Sequence, residues 1–573
     1  MLRSCPRCAR TAAPHVRFCE YCGTPVSDNT TRYLSAAVHR DSEYCDAAIA
    51  EFLVEPVRAL PPSAGADSAA VLRDAVAARS RRRIRDAVLL ALLAVFAVLD
   101  VSLFVSWFVV SLIGWFLSGA AARGTRRTSA RTAVVISVGV VVLYLLTDVL
   151  LTAAGISPAY LAYQLGQLFG GGTLVPGVAA APLLLGLVLF AVLLVDEYLV
   201  QWLVHTCFRR DQFVTAPRHR QSTADPVQVT LRTLGVSSFH RELERVAAAD
   251  RAGHVEGRAD VVVHRNFSPF VGAGVVVKTD AVPFALVADE DAARTAPVDV
   301  VGMHEEISAA LAAIKGASSL GPSGRLSDLE MREQVLVPSE QLVTHGGAFP
   351  QPEILPSLDR PPATSVDLRL ARCLAEEPVE WARYYRCYQV ETWDRDLTAS
   401  CYVHIGTDQT ILYLERVHCL VPPLAANFRR IDEPPNHLEP IGNALVALFL
   451  LPASVLRRLH TVFGSFRRLP QRAGEVVPDR YGAARSLREL ASTTEFRTYF
   501  QSADAARYQG IVDSVLTRAV GKYLEDHGYS VVEFQEAVAP VFQNFHNATI
   551  NNSSIGPNAR TYNSGPDGTK EKP

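Results

Sequence analysis

Four cysteines near the N-terminus carry the most specific chemistry in the chain. Cys5-Pro-Arg-Cys8 and Cys19-Glu-Tyr-Cys22-Gly23 form a C-x2-C-x10-C-x2-C-G pattern. Two such knuckles can bring four thiolates into a tetrahedron around Zn2+, at Zn–S distances of about 2.3 Å. Four ligands with no open position predict a closed, structural zinc site on Cys5, Cys8, Cys19 and Cys22, within a ribbon over residues 1–26. A redox CxxC is the competing reading, but no βαβ pattern surrounds either pair. His15 is the rival ligand, read here as a surface residue. Arg3, Arg7, Arg10 and Arg17 give the ribbon a basic face. A solvated face is the plainer reading, so nucleic acid is not an expected partner.

Acidic residues inside apolar blocks are the second candidates, because ionisable groups in hydrocarbon are costly and mark pathways. They are Asp100, Asp148, Asp196 and Glu197. No Lys or Arg lies within the blocks to pair with them; Asp100 falls at the outer turn of the expected hairpin, Asp148 in the outer part of its span, and Asp196 and Glu197 toward the cytoplasmic end of theirs, so a transport role is the weaker reading. His304, Glu305 and Glu306 fall on a predicted helix but lack a second metal-ligating His at helical spacing. No P-loop, HExxH, GxSxG or Rossmann pattern occurs.

The elements around these residues follow from hydropathy and charge. Three long apolar blocks, Ala87–Ala122, Thr132–Ala154 and Pro182–Val204, define a membrane region at residues 87–206. A crossing needs about 20 apolar residues. The first block is too long for one crossing and is expected to cross twice, as two helices meeting near Asp100. A long tilted helix or a re-entrant pair is the other possibility. Arginines before the first block, between the first two and after the third would all face the cytoplasm under four crossings. The expected fold is therefore a membrane α-helical region of about four transmembrane helices, a zinc ribbon and a cytoplasmic α+β region. Both termini are expected in the cytoplasm, and the cell membrane is the expected location. No signal peptide pattern opens the chain. The net charge is −2, and the six cysteines outside the ribbon show no paired spacing, which fits a reducing compartment.

Residues 27–86 read as a helical linker, 211–349 as an α+β region, and 365–545 as an antiparallel meander with C-terminal helices. Arg386–Trp393, Leu397–Ile405 and Thr410–Cys419 have strand character. Phe267–Gly274 reads as a glycine turn between strands rather than a phosphate loop. Ile441–Leu456 is either a buried helix or an element on the inner leaflet. Asp504–His527 shows a helical apolar stripe stopped by Gly528, and Ser530 with Glu533 suggests a capping box. Residues 546–573 form an Asn-rich tail, disordered or able to pair with copies of itself.

The order of parts resembles a group of uncharacterised actinobacterial multi-pass membrane proteins with an N-terminal zinc ribbon. Arg32-Tyr-Leu-Ser-Ala-Ala-Val-His39, Ser268-Pro-Phe-Val-Gly-Ala-Gly274 and Tyr499-Phe-Gln with Asp504 and Tyr508 carry that resemblance. It implies no activity. Three classes of function stand. The first is a membrane-anchored cytoplasmic scaffold or regulatory protein, with protein partners at the ribbon and the C-terminal region and self-association through the tail. A small channel or transporter using the acids is the second. An enzyme without a recognisable motif is the third and least supported.

Overall fold

A computed structural model describes residues 3–4, 11–12, 29–63, 65–124, 180–209, 213, 239–252, 257–290, 294–315, 329–393, 396–464, 476–493 and 496–543. Strands β1 (Arg3–Ser4) and β2 (Thr11–Ala12) pair antiparallel around the first CxxC. Helices α1 (Asn29–Arg40) and α2 (Ser42–Phe52) are separated by Asp41, whose extended backbone leaves the helix. Its carboxylate accepts from the Glu43 and Tyr44 amides at 2.9 and 3.0 Å. This satisfies two of the amides a helix start leaves without intrahelical partners.

Helix α3 (Ser68–Leu99) starts at an Asp67 cap and ends at Asp100, where α4 (Val101–Gly124) begins. Asp100 has φ −148° and ψ 88°, and its carboxylate accepts from the Leu103 amide at 2.9 Å. An aspartate cap thus makes the break for which the sequence offers no Gly or Pro. Helices α5 (Ala180–Cys207) and α6 (His240–Ala252) follow.

The expectation of about four transmembrane helices is overturned. Among the described residues one helical stretch, the 24 residues Leu184–Cys207 of α5, is long and apolar enough to cross a membrane. A second would come only from a pair of short helices bent by 74° at Leu450–Leu451. The apolar helix after Asp100, Leu103–Phe116, reaches roughly 21 Å, short of a bilayer core of about 30 Å. The block Thr132–Ala154 lies outside the described residues. The physical reason is packing: α3 buries Leu89, Leu93 and Phe96, and the first two join Leu189 and Leu193 of α5 in one apolar cluster. Apolar content alone does not separate helices that pack on one another from helices that each cross.

The rest of the chain builds a seven-stranded mixed sheet in the order β4-β9-β8-β7-β5-β3-β6. Its strands are β3 (Arg258–His264), β4 (Val275–Ala285), β5 (Glu330–Pro338), β6 (Ser365–Asp367), β7 (Arg383–Thr392), β8 (Leu397–Thr407) and β9 (Ile411–Val421). β3 and β5 run parallel, and the chain between them passes through β4 and α7 (Val300–Ile314); every other pair is antiparallel. Strands from both 211–349 and 365–545 therefore share one sheet. β7, β8 and β9 are its meander, with side chains alternating between faces.

One face packs on α7, α8 (Leu368–Glu376), α11 (Tyr499–Asp526) and α12 (Val532–Gln543). The other carries Phe270, Tyr385, Cys387 and Tyr402 in a smaller cluster. Between β9 and α11 lie α9 (Glu439–Phe449) and α10 (Val455–Phe463), which are the bent pair. They leave the sheet and pack on α5 and α3, joining the sheet body to the apolar helices. The 441–456 segment is thus partly buried, while Leu445, Leu456 and Phe463 stay exposed.

Candidate functional site

Beneath α11 the sheet carries charged side chains where the alternation would place apolar ones. Cross-strand register sets Lys278 beside His418, Asp280 beside Arg416, and Cys401 beside His418. All five point to the α11 face, and α11 lowers Asp513 onto them. His418 Nε2 donates to Asp513 Oδ1 at 2.9 Å. Arg416 Nη1 lies 3.5 Å from the same oxygen, and Lys278 Nζ lies 3.6 Å from Oδ2. Lys278 and Arg416 also both face Asp280. Two cations meet two carboxylates, so the cluster is balanced. Burial raises the Asp513 carboxyl, but the bond from His418, with Arg416 and Lys278, reverses this and holds it below its usual range.

Cys401, His418 and Asp513 bring three donor atoms within 4.8 Å of one another. Their geometry is not that of a nucleophile relay. A Cys-His-Asp relay needs the carboxylate on one ring nitrogen and the thiol on the other. Here Cys401 Sγ, at 4.0 Å, and Asp513 both face Nε2, while Nδ1 makes no hydrogen bond. Burial, with the nearby Asp513 charge, pushes the Cys401 thiol well above its ordinary value. Nor does the donor set suit a metal ion, because Lys278 and Arg416 already hold the carboxylates and would repel it.

The trio His304, Glu305 and Glu306 is dispersed. His304 is fully buried edge-on to Tyr384 at 5.3 Å, and burial lowers its pKa far below the usual histidine value. Glu305 pairs with Arg372 at 3.1 Å and Glu306 with Lys522 at 2.8 Å. The glycine turn before β4 is likewise occupied. Gly272 and Gly274 have φ of +90° and +85°, and their amides donate to Glu489 Oε1 at 2.9 and 2.8 Å. A backbone nest that could cradle an anion already holds this internal carboxylate. The reciprocal capping box lies here too, between Ser486 and Glu489; at α12 Ser530 Oγ accepts from the Val532 amide.

A cavity of about 720 Å3 lies where α1, α2, α3, α5, α9 and α10 converge. The acids expected inside the membrane are explained here. Asp196 accepts from Arg81 at 2.7 Å and from Arg85 at 2.8 Å, so it has the basic partners that the sequence did not reveal. Glu197 accepts from Asn443 at 3.4 Å. Asp86 meets Arg85 at 2.9 Å and also Arg458. Asp100 is a helix cap outside the cavity, and Asp148 lies outside the described residues. Arginines read from sequence as a topological flank thus turn inward. The usable signal was Arg81 and Arg85 at i, i+4 on a helix face.

Cys5, Cys8, Cys19 and Cys22, and the Asn-rich tail, lie outside the described residues. Cys45, Cys387, Cys401 and Cys419 are buried thiols in no disulfide, and Cys373 is exposed. Residues 276–558 match the AbeC-like domain family. That segment spans β4, the meander, the α9–α10 pair and α11–α12, but not β3, the strand beside the β6 edge. No curated protein and no solved structure matches the chain.

Proposed function

We propose that this chain is a membrane-seated regulatory or interaction protein whose sheet body, including the AbeC-like domain, is held at the bilayer by α3, α4 and α5. The observation that carries the reading is exposed apolar surface. Val95, Val98, Val105, Phe108, Trp115 and Phe116 on α3 and α4, with Leu184, Leu187, Val195 and Trp202 on α5, are all exposed. A monomer in water rarely shows an apolar patch beyond a few hundred Å2. Helix α5 has 24 apolar-rich residues, roughly 36 Å of helix, enough for the hydrocarbon core. The cell membrane is the location this supports. Without four crossings, the arginine flanks no longer place both termini in the cytoplasm.

Regulation or binding fits the charged residues better than transport or catalysis. Asp196 is neutralised by two arginines, which suits a fixed joint between helices rather than a conducting acid. Cys401 faces a histidine nitrogen already committed to Asp513. Cys5, Cys8, Cys19 and Cys22 are proposed to hold one structural Zn2+, making the ribbon an interaction end, and the Asn-rich tail the other. The β1–β2 ladder around the first CxxC supports a ribbon.

The test is extraction. Full-length chain should stay with membranes through an alkaline carbonate wash and come off in detergent. Recovery in the wash as a defined oligomer without detergent would reassign the apolar face to contacts between proteins. Elemental analysis of the same preparation should find one zinc per chain, lost in Cys19→Ser.

A further inference from the structure

The cavity between the apolar helices and the sheet body has more buried positive charge than its carboxylates neutralise. Four guanidiniums form its inner wall: Arg81, Arg82, Arg85 and Arg458. They face Asp86, Asp196 and Glu197. With all three carboxylates ionised, one positive charge remains. Arg81 pairs with Asp196, Arg85 with Asp196 and Asp86, and Arg458 with Asp86.

Arg82 is the one left over. It is 7% exposed, and its partners are the backbone carbonyls of Val38 and of Asp41, the latter at 3.4 Å, and the Cys45 thiol. Among the described residues it forms no ion pair. Its Nη1, and Nε of Arg81, are buried without a hydrogen bond. The outer lining is balanced, with Arg40, Arg79, Arg430 and Arg457 against Asp41, Glu43, Asp46 and Glu439; Asp46 meets Arg79 at 2.8 Å, and Glu439 lies 3.9 Å from both Arg40 and Arg430.

A buried cation without a counter-charge is costly, and a buried donor without an acceptor adds to that cost. We infer that this cavity binds a phosphate-bearing anion, drawn by the guanidiniums that line it with Arg82 uncompensated among them, and with Arg457 at the mouth. Guanidinium forks match phosphate oxygens in geometry as well as charge. A volume of about 720 Å3 is far larger than chloride requires and leaves room for what the phosphate is attached to. The cavity lies beside the polar end of α5, near exposed Tyr198 and Trp202, at the level where aromatic side chains meet lipid headgroups. The same chemistry could come from a lipid headgroup or from a soluble phosphate. The charge argument does not depend on whether the apolar face sits in lipid.

The experiment uses purified full-length chain in neutral detergent and in lipid nanodiscs. Sodium phosphate is titrated against sodium chloride at equal ionic strength, following Tm. Nanodiscs of phosphatidylcholine alone are compared with nanodiscs containing phosphatidic acid. We expect a saturable rise in Tm with phosphate or with phosphatidic acid, and none with chloride. Saturation by inorganic phosphate in detergent assigns a soluble source, and a response confined to phosphatidic acid assigns a headgroup. Arg82→Gln should weaken binding about tenfold or more, the size expected for a charge-assisted hydrogen bond. Arg82 also holds two carbonyls, so Arg457→Glu is the second variant. Arg457 is exposed at the mouth, and its reversal should weaken binding several-fold while leaving the unliganded Tm unchanged. No shift with either probe, or a wild-type response from both variants, would overturn the inference. Neither result bears on carbonate extraction, so the two proposals fail separately.

Discussion

Two buried charged clusters in this molecule are built from the same residue types and differ in how they close. On the sheet, Lys278 and Arg416 are matched by Asp280 and Asp513, and α11 seals the set with His418 bound to Asp513. At the helical junction, four arginines outnumber their carboxylates and border a cavity. In the closed cluster cations and carboxylates match one to one. The open cluster has an excess of cations and a cavity beside it. The lesson is that buried charge by itself says little about function; the balance of charge and the presence of space are what separate a structural joint from a binding site.

The comparison can be broken from the closed side first. Asp513→Ala leaves His418, Arg416 and Lys278 facing one another under α11. It should cost about 3–5 kcal/mol in denaturant unfolding of the purified chain, as losing one partner of a buried pair does. A loss under about 1 kcal/mol would mean that the network is solvated rather than closed. The open side comes next. Asp196→Asn removes the carboxylate shared by Arg81 and Arg85 and should cost about 2–3 kcal/mol without phosphate. It also enlarges the positive excess, so phosphate should bind more tightly and restore part of the loss. Equal destabilisation with and without phosphate would contradict the imbalance.

The smallest effect is a pH slope. Burial holds His264, His304 and His404 below the usual histidine pKa, so at mild acidity the folded protein binds fewer protons at these sites than the unfolded chain. The unfolded chain takes up their protons near pH 6.5, so their stabilising contribution is present above that pH and lost as pH falls below it. The slope is up to ~1.4 kcal/mol per pH unit for each histidine. His304→Phe should flatten unfolding free energy between pH 6.5 and 5 relative to wild type. Asp513 acts at lower pH: its depressed pKa gives stability that is present above about 3.9 and lost as pH falls further.

How much of this was legible in the sequence depends on the range of the signal. The meander was readable because alternation and polar turns are local, and strands lie at Arg383–Thr392, Leu397–Thr407 and Ile411–Val421. The break near Asp100 was readable because the apolar block was nearly twice a bilayer's needs. The number of crossings was not, because Leu89 and Leu93 look the same in sequence whether they meet lipid or Leu189 and Leu193. The partners of Asp196 were hidden because they lie 115 and 111 positions earlier in the chain. The sheet network was hidden for a similar reason. Arg416 and His418 alternate along β9 on its buried face, a visible oddity, but Asp513 arrives from another element. The parallel pairing of β3 with β5, across α7, leaves no local trace at all.

The central claim is that the cavity beside α5 is an anion site left open by Arg82. An experimental map of the full chain in nanodiscs containing phosphatidic acid, with inorganic phosphate in the buffer, tests it most directly. The account predicts a compact phosphate-sized density inside the cavity, against the arginines that line it. A cavity holding only water, or closed by a carboxylate swung onto Arg82, would contradict it.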